Sequence, residues 1–116
     1  MIEELVSRTF ATRNAAHLEH FRTKSYAQHM ALGEFYDGLI DAVDAVVEAY
    51  QGAFELIGEV PAPEHFDFSV AHLRDEADWI EINRKEIAGE SDAVANLVDA
   101  VTAVYLKAIY KLDNLS

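Results

Sequence analysis

Both prolines of the chain lie together near its middle, at Pro61 and Pro63. Proline lacks the backbone N–H, and its ring collides with the preceding helical turn, so a proline pair is expected to interrupt helices. The long stretches on either side contain no proline, and nowhere do Val, Ile or Thr alternate with polar residues over four or more positions. The sequence therefore predicts an all-α chain with one firm break.

Apolar residues at helical spacing define four predicted helices. The longest stripe recurs at steps of three and four over about seven turns, at Leu32, Phe35, Tyr36, Leu39, Val43, Val46, Tyr50, Phe54 and Ile57. Ser25 can begin that helix as half of a capping box with Gln28, and Gly89 can end the third helix. We predict helices over residues 2–21, 25–57, 63–88 and 91–114.

The first helix carries a shorter stripe, and we expect its core face at Ile2, Val6, Phe10, His17 and Phe21. Four helices joined by short loops predict an up-down four-helix bundle. A chain of 116 residues buries roughly two thirds of the surface that its unfolded form exposes, which is enough for one core. We therefore expect residues 1–116 to form a single domain.

The charge balance bears on the possible partners. Nine Lys and Arg against 21 Asp and Glu give a formal charge of −12, which repels phosphate and argues against nucleic-acid binding. The N-terminus is acidic, and no apolar run approaches the roughly 18 residues of a membrane span. Neither a secretory leader nor a membrane partner is expected. The absence of cysteine suits a reducing compartment, and we expect a cytoplasmic protein.

Histidines and carboxylates are the candidates for chemistry. The chain has no Cys, no Gly-rich phosphate loop and no Gly-flanked Ser, so nucleophilic and nucleotide chemistry lack visible residues. Imidazole and carboxylate suit iron, zinc or manganese, and bundles build such sites from facing side chains. From the residues alone, a boundary histidine and a solvated acidic helix face remain the simpler explanations. His65 and His72, near the start of the third helix, are not expected to be ligands.

The segment from His17 to Glu48 resembles the metal-site region of the Dps proteins, the mini-ferritins of the ferritin-like superfamily. Their pattern is a His, a second His twelve residues on, an Asp four later, an Asp eleven after that and a Glu four further. The matching positions here are His17, His29, Gly33, Asp44 and Glu48, with Gly33 where the first Asp is expected. A second register places His20 and Phe21 on the family's His-Trp pair, and both registers stay open.

The resemblance implies a ferritin-like bundle that binds iron or another divalent transition metal between the second helices of a homodimer. In that family the histidines come from one subunit and the distal Asp and Glu from its partner. The implied candidate ligands are His17, His20, His29, Asp37, Asp44 and Glu48. Asp37, one turn from Gly33, could replace the missing carboxylate through water, and Glu34 is the alternative, although neither occupies the matching position. Because Gly33 removes one ligand, ferroxidase-type activity is left open. The alternative is a metal-free structural or interaction bundle that retains the fold.

Two further features bear on partners. Ile40 and Val47 lie beside the core stripe of the second helix, and Gly33 permits close backbone approach, so we predict an antiparallel pairing of second helices in a homodimer. The chain lacks the basic N-terminal tail of Dps proteins, and DNA binding is not expected. The chain also resembles small helical proteins of tailed phages in two stretches, residues 23–29 and 48–52.

Overall fold

The computed structural model describes all 116 residues and contains four α-helices and no strand. The helices are α1 (Ile2–Arg22), α2 (Tyr26–Ala53), α3 (Val70–Ala88) and α4 (Asp92–Asn114). They pack against one another around a common hydrophobic core to which every helix contributes. The predicted all-α four-helix bundle is confirmed.

Serine side chains cap the N-termini of three helices, and each hydroxyl oxygen accepts the backbone N–H three residues on. The capping pairs are Ser25 with Gln28, Ser69 with His72, and Ser91 with Val94. Gly89 follows α3 with a φ of 61°, a left-handed conformation that glycine adopts without a Cβ penalty. The predicted cap at Ser25 and the predicted stop at Gly89 are both confirmed. The second half of the predicted capping box does not form, because the N–H of Ser25 donates to the hydroxyl of Thr23 and the Gln28 side chain also bonds Thr23.

Two predicted boundaries are wrong. The second helix ends at Ala53 rather than residue 57, because Phe54 leaves the helical conformation (φ −126°, ψ −87°). The Phe54 ring instead packs on Gly89, where its Cζ lies 3.3 Å from the position that a Cβ would occupy. The third helix begins at Val70 rather than residue 63, because Ser69 supplies its cap. Residues 54–69 therefore form one long connection, which we call the crossover.

The crossover follows α1 from its first turn to its last. Near the start, the N–H of Gly58 donates to Oε2 of Glu3 at 2.8 Å. Near the end, Phe68 lines the same cleft as Glu19 and Arg22. Because the chain returns along the bundle in this way, α3 starts at the end where α2 starts, and the two helices run in the same direction. Short loops were predicted correctly between α1 and α2 and between α3 and α4, but not here.

The helix neighbours follow from this crossover. The helix α2 packs between α1 and α4, whereas α3 packs chiefly on α4 and more lightly on α1, so that α2 and α3 lie diagonally. Neighbouring helices are antiparallel. Glu34, early in α2, pairs with Lys111, late in α4, and Arg74, early in α3, pairs with Asp113. The molecule is a rod of 44 × 25 × 20 Å.

The α2 stripe locates the core correctly from Leu32 to Val46, but the face predicted for α1 is only partly right, because Ile2 and Val6 are buried whereas Phe10 and Phe21 are not. Phe10 is 37% exposed and Phe21 is 70% exposed. The face of α1 that enters the core is instead built mostly from small side chains, and its buried residues are Ile2, Leu5, Val6, Thr9, Ala11, Thr12, Ala15 and Ala16. Small residues allow neighbouring helices to approach closely, and Phe10 and Phe21 lie outside this face.

The helix α4 is long and apolar enough to cross a membrane by length and composition, and nearly half of its most apolar window is buried inside the bundle. Val94, Val98 and Val101 are fully buried in the common core. Helix packing therefore accounts for part of the apolar character of α4.

Candidate functional site

Two histidines join the end of α1 to the start of α2. The Nδ1–H of His20 donates to the carbonyl oxygen of His29 at 2.8 Å, and the Nδ1–H of His29 donates to the carbonyl oxygen of His20, also at 2.8 Å. The two rings stack with centroids 3.7 Å apart and planes inclined by 20°. We call this reciprocal arrangement the histidine staple. A carbonyl oxygen only accepts, so each Nδ1 must carry the proton.

The staple leaves both Nε2 atoms without a proton when the rings are neutral. An imidazole oriented by an Nδ1–H bond to a carbonyl is a common form of metal ligand. A bound metal lies in the ring plane, about 2.0–2.1 Å from the nitrogen. The two ring planes are inclined by only 20° and their centroids are 3.7 Å apart. The planes therefore intersect much farther from the rings than the metal–nitrogen distance. One ion therefore cannot be held by both His20 and His29 of one chain in this conformation.

Gly33 faces the staple within its own chain. A Cβ at this position would lie 3.2 Å from Cε1 of His20, so the space beside Gly33 is filled by that ring. The room that the missing side chain leaves is therefore used within the chain, and the approach of a second chain at Gly33 stays a prediction. Asp37 lines the same open groove of about 520 Å³ as both staple histidines. The carboxylate of Glu34 is held by Lys107 and Lys111.

His17 lies beside the staple in an aromatic stack. Its ring packs on Tyr36 with centroids 4.1 Å apart and on Phe21 at 4.8 Å. Desolvation lowers the pKa of His17, and the charges of Arg13 and His20 act in the same direction. The centroids of His17 and His20 are 6.1 Å apart. Both candidate histidines of the two registers therefore belong to one cluster, and the geometry does not choose between them.

Asp44 and Glu48 lie far from this cluster within one chain. Both are exposed on the C-terminal half of α2. With a rise of 1.5 Å per residue, the fifteen positions between His29 and Asp44 correspond to about 22 Å along the helix. Within one chain, no three His, Asp or Glu side chains come close enough to hold a metal ion. A metal site that combines these histidines with Asp44 or Glu48 therefore requires a second chain.

The strip proposed for dimer contact is partly covered by the chain's own residues. Val47 packs against the common core, and Ile40 is half-buried. On the same side of α2, Tyr36 contacts His17 of α1. The apolar surface left for a partner is therefore smaller than the sequence indicated.

A second polar cluster, which the sequence interpretation missed, lies between α1 and α3. One guanidinium nitrogen of Arg8, Nη1, donates to both carboxylate oxygens of Glu76 at 3.0 and 3.1 Å. The guanidinium carbon lies 4.3 Å from the ring centroid of Trp79. His72 Nε2 lies 3.4 Å from Glu76 Oε1, and the ring of Phe66 packs on His72 with centroids 3.7 Å apart. Glu76 is only 7% exposed, so Arg8 neutralises a buried carboxylate.

The signal for this cluster was present in the sequence. Glu76 falls three residues after Leu73 and four before Ile80, on the core face of α3, where a charge requires a partner.

The structure also brings His65 and His72 close to α1. His72 reaches it through Glu76, and His65 of the crossover lines a cleft together with His17. The hydroxyls of Thr12 and Tyr105 are buried without a hydrogen-bond partner, and burial raises the pKa of Tyr105 well above its usual range.

Comparison with known proteins places the chain in a family. The profile of a family of unknown function, DUF5856, matches residues 20–112. That range takes in α2, the crossover, α3 and nearly all of α4. No curated protein and no solved structure matches the chain. Because the match extends over most of its length, the chain belongs to the DUF5856 family of unknown function.

Proposed function

We propose that this chain is a ferritin-like, metal-binding bundle whose site forms between the second helices of a homodimer. His29 of one chain would bind iron or another divalent transition metal together with Asp44 and Glu48 of the partner subunit. The main support is the orientation of His29, whose Nδ1–H is held by a carbonyl while its Nε2 is left for a ligand. A nitrogen combined with carboxylates suits such metals, and iron would supply one-electron chemistry.

The connectivity of the bundle supports the ferritin-like part of this proposal. Ferritin-like folds are four-helix bundles with one long crossover connection. Here the antiparallel pairs α1–α2 and α3–α4 are joined by the crossover, which runs along the bundle. The diagonal placement of α2 and α3 leaves the outer side of α2 free of its own chain, and Asp37, Asp44 and Glu48 are exposed there.

Because the outer side of α2 is acidic, we expect formation of the dimer to depend on bound metal. An antiparallel pairing that sets His29 opposite Asp44 or Glu48 has its two-fold axis near Asp37, and the acidic side chains of the two copies then face one another. Without a cation they repel, or bind protons instead. A divalent metal removes this repulsion and holds the chains together. His17 or His20 would add a further nitrogen, and Asp37 a water-mediated contact.

The test is a calorimetric titration of metal-stripped protein with iron(II), without oxygen, and separately with zinc. We expect micromolar binding by the unaltered chain, and at least a tenfold weakening in His29→Ala and in Glu48→Gln. Glu81→Gln removes an equivalent exposed charge from α3 and should bind like the unaltered chain. Sedimentation should show a dimer only with metal, and Ile40→Glu should remain monomeric. An unaltered chain that binds neither metal, or a Glu48→Gln that binds normally, contradicts the proposal.

The second candidate is a metal-free structural or interaction bundle. The staple favours it, because both imidazoles already connect α1 to α2 through hydrogen bonds and stacking. No three ligating side chains meet within one chain, which also favours it. In that case His29→Ala lowers thermal stability by the same amount with and without added metal. For the metal-binding candidate, added metal raises the melting temperature of the unaltered chain but not that of the variant.

A further inference from the structure

The turn between α1 and α2 exposes aromatic and basic side chains together. Phe21 is 70% exposed and Tyr26 is 77% exposed, which places both among the four most exposed large hydrophobic side chains of the protein. Between them, Arg22 and Lys24 are exposed and form no ion pair. Aromatic residues and arginine are enriched where proteins contact one another. We call these four residues the aromatic tip.

The opposite end of the rod exposes an apolar side chain among carboxylates. Leu56, at the start of the crossover, is 79% exposed. Glu55 and Glu59 flank it, and Glu90 lies on the turn between α3 and α4, against which the crossover packs. All three carboxylates are exposed and form no ion pair. We call Leu56 and these three carboxylates the acidic tip.

The two tips lie at opposite ends of a rod 44 Å long. The aromatic tip follows the end of α1, whereas the start of the crossover is tied to the first turn of α1 by the bond from Gly58 to Glu3. A contact between two copies that uses one tip of each is therefore head-to-tail. It leaves a free tip at both ends of the pair for further copies.

The charges favour contact between unlike tips. Two acidic tips repel each other, and two aromatic tips set Arg22 and Lys24 of one copy against those of the other. Glu19 and Asp67 share a cleft with Arg22, so the charge around the aromatic tip is balanced and does not repel another copy. Contact between an aromatic tip and an acidic tip pairs opposite charges and also covers the exposed rings and Leu56.

The size of the rod's end limits the strength of this contact. The rod measures 25 × 20 Å across, so two ends in contact bury about 1,000 Å² in total, which is the size of a weak, transient interface. The overall negative charge of the chain opposes association at low salt. At about 150 mM salt that repulsion is screened beyond about 8 Å, whereas charges in direct contact still attract.

We propose that copies of this chain associate head-to-tail, with the aromatic tip of one copy on the acidic tip of the next. The two exposed rings cover Leu56, and Arg22 and Lys24 pair with the carboxylates around it. The association needs no metal and forms only at high protein concentration. It is independent of the proposed metal site, because it uses the ends of the rod rather than the outer side of α2.

The first test is a charge swap, followed by sedimentation with EDTA at about 150 mM salt. Arg22→Glu with Lys24→Glu reverses the aromatic tip, and Glu55→Lys with Glu59→Lys reverses the acidic tip. The weight-average mass of the unaltered chain should at least double between about 10 µM and about 1 mM protein. Each reversed variant alone should stay monomeric. An equal mixture of the two should associate, because reversed tips attract each other and unaltered tips do so as well.

The control for net charge is Asp78→Lys with Glu81→Lys. This pair changes the charge by the same amount as the reversed acidic tip, but at exposed positions midway along α3, and it should associate like the unaltered chain. Circular dichroism checks that each variant folds. The proposal is overturned by an unaltered chain that stays monomeric, by a reversed variant that associates on its own, or by a mixture that does not associate.

The second test uses two equally exposed apolar residues. Leu56 of the acidic tip is 79% exposed, and Ile82, within α3, is 81% exposed. Leu56→Ser should weaken the association at least fivefold, because it removes the side chain that the aromatic rings cover. Ile82→Ser removes a similar apolar side chain away from both tips and should leave the association unchanged. Equal association of these two variants would also overturn the proposal.

Discussion

A Cβ atom on Gly33 would lie 3.2 Å from Cε1 of His20, closer than most such contacts. The ring of His20 is held in place by its bond to His29 and by stacking, so it has little freedom to withdraw. Any side chain at position 33 therefore requires the ring of His20 to shift by a few tenths of an ångström. The lack of a side chain at Gly33 and the position of the His20 ring are two aspects of the same packing.

Alanine at two glycines of α2 should have opposite effects. Gly52→Ala meets nothing within 4 Å and should stabilise the protein by about 0.5–1 kcal/mol through helix propensity. Gly33→Ala should destabilise it, because the added methyl group displaces His20. Urea unfolding measures both. In a His20→Ala background, Gly33→Ala should become stabilising, and failure of that reversal would contradict the packing argument.

Removing either ring of the staple should destabilise the bundle. His29→Ala and His20→Ala each remove one hydrogen bond and the ring stack, at a cost of about 1–2 kcal/mol. Because each variant alone abolishes the stack, the double variant should lose less stability than the sum of the two. His65→Ala, at an exposed position, should change stability by less than about 0.5 kcal/mol. Additive losses would show that the rings act independently.

Replacing Arg8 and replacing Glu76 should lower the free energy of unfolding by different amounts. Arg8→Met leaves the carboxylate of Glu76 buried without a counter-charge, and it should cost about 3 kcal/mol. Glu76→Leu should cost less, since the side chain of Arg8 is 35% exposed and can turn towards water. The double variant should recover to within about 1 kcal/mol of the unaltered chain. Chemical denaturation of the three variants gives these values. A double variant as unstable as Arg8→Met would contradict this account.

Acid should destabilise the protein in part through His72. Its pKa is lowered from 6.5 by burial and, secondarily, by the charge of Arg8, while Glu76 and Asp75 oppose the shift. The unfolded chain therefore binds a proton before the folded one does, and stability declines as the pH falls below about 6.5. His72→Phe should lose less unfolding free energy than the unaltered chain between about pH 7.5 and about pH 5.5. Identical losses in the two proteins would rule out this contribution.

Salt should stabilise the bundle. Of the 21 acidic side chains, only six form ion pairs, at Glu3, Glu4, Glu34, Glu76, Asp99 and Asp113. The remaining carboxylates repel one another at a formal charge of −12. Raising sodium chloride from about 10 mM to about 300 mM shortens the range of that repulsion. Calorimetry should record a higher melting temperature, and a decrease would mean that the few ion pairs dominate.

Local patterns were sufficient to predict much of the fold. The stripe of α2 as far as Tyr50, the serine cap at Ser25 and the stop at Gly89 depend on near neighbours in sequence, and these were predicted correctly. The crossover was not, because its course depends on contacts between distant residues such as Glu3 and Gly58. The core face of α1 was predicted only at Ile2 and Val6, because periodicity weights large apolar residues and the rest of this face is mostly threonine and alanine.

Of the candidate site residues, the histidines come together in the structure, whereas Asp44 and Glu48 lie far from them within one chain. Residue spacing identified His17, His20 and His29 as candidate ligands, and all three lie close together at the α1–α2 turn. The staple itself depends on each ring reaching the backbone of the other helix, which spacing does not encode. Glu76 could have been noticed as a charge among core residues, whereas its partner Arg8 is 68 positions away.

The crossover has a consequence for how the chain could be divided. Between residues 55 and 68 the backbone makes no hydrogen bond to another backbone group, and most of its side chains are exposed. A protease should cut there before it cuts any helix. Each product would be a complete helical hairpin, one with α1 and α2 and the other with α3 and α4. Since only side-chain contacts join these hairpins, among them the ion pairs of Arg8 with Glu76 and of Glu34 with Lys111, two separately made fragments could be mixed to rebuild the molecule, and this bundle would then serve as a split protein.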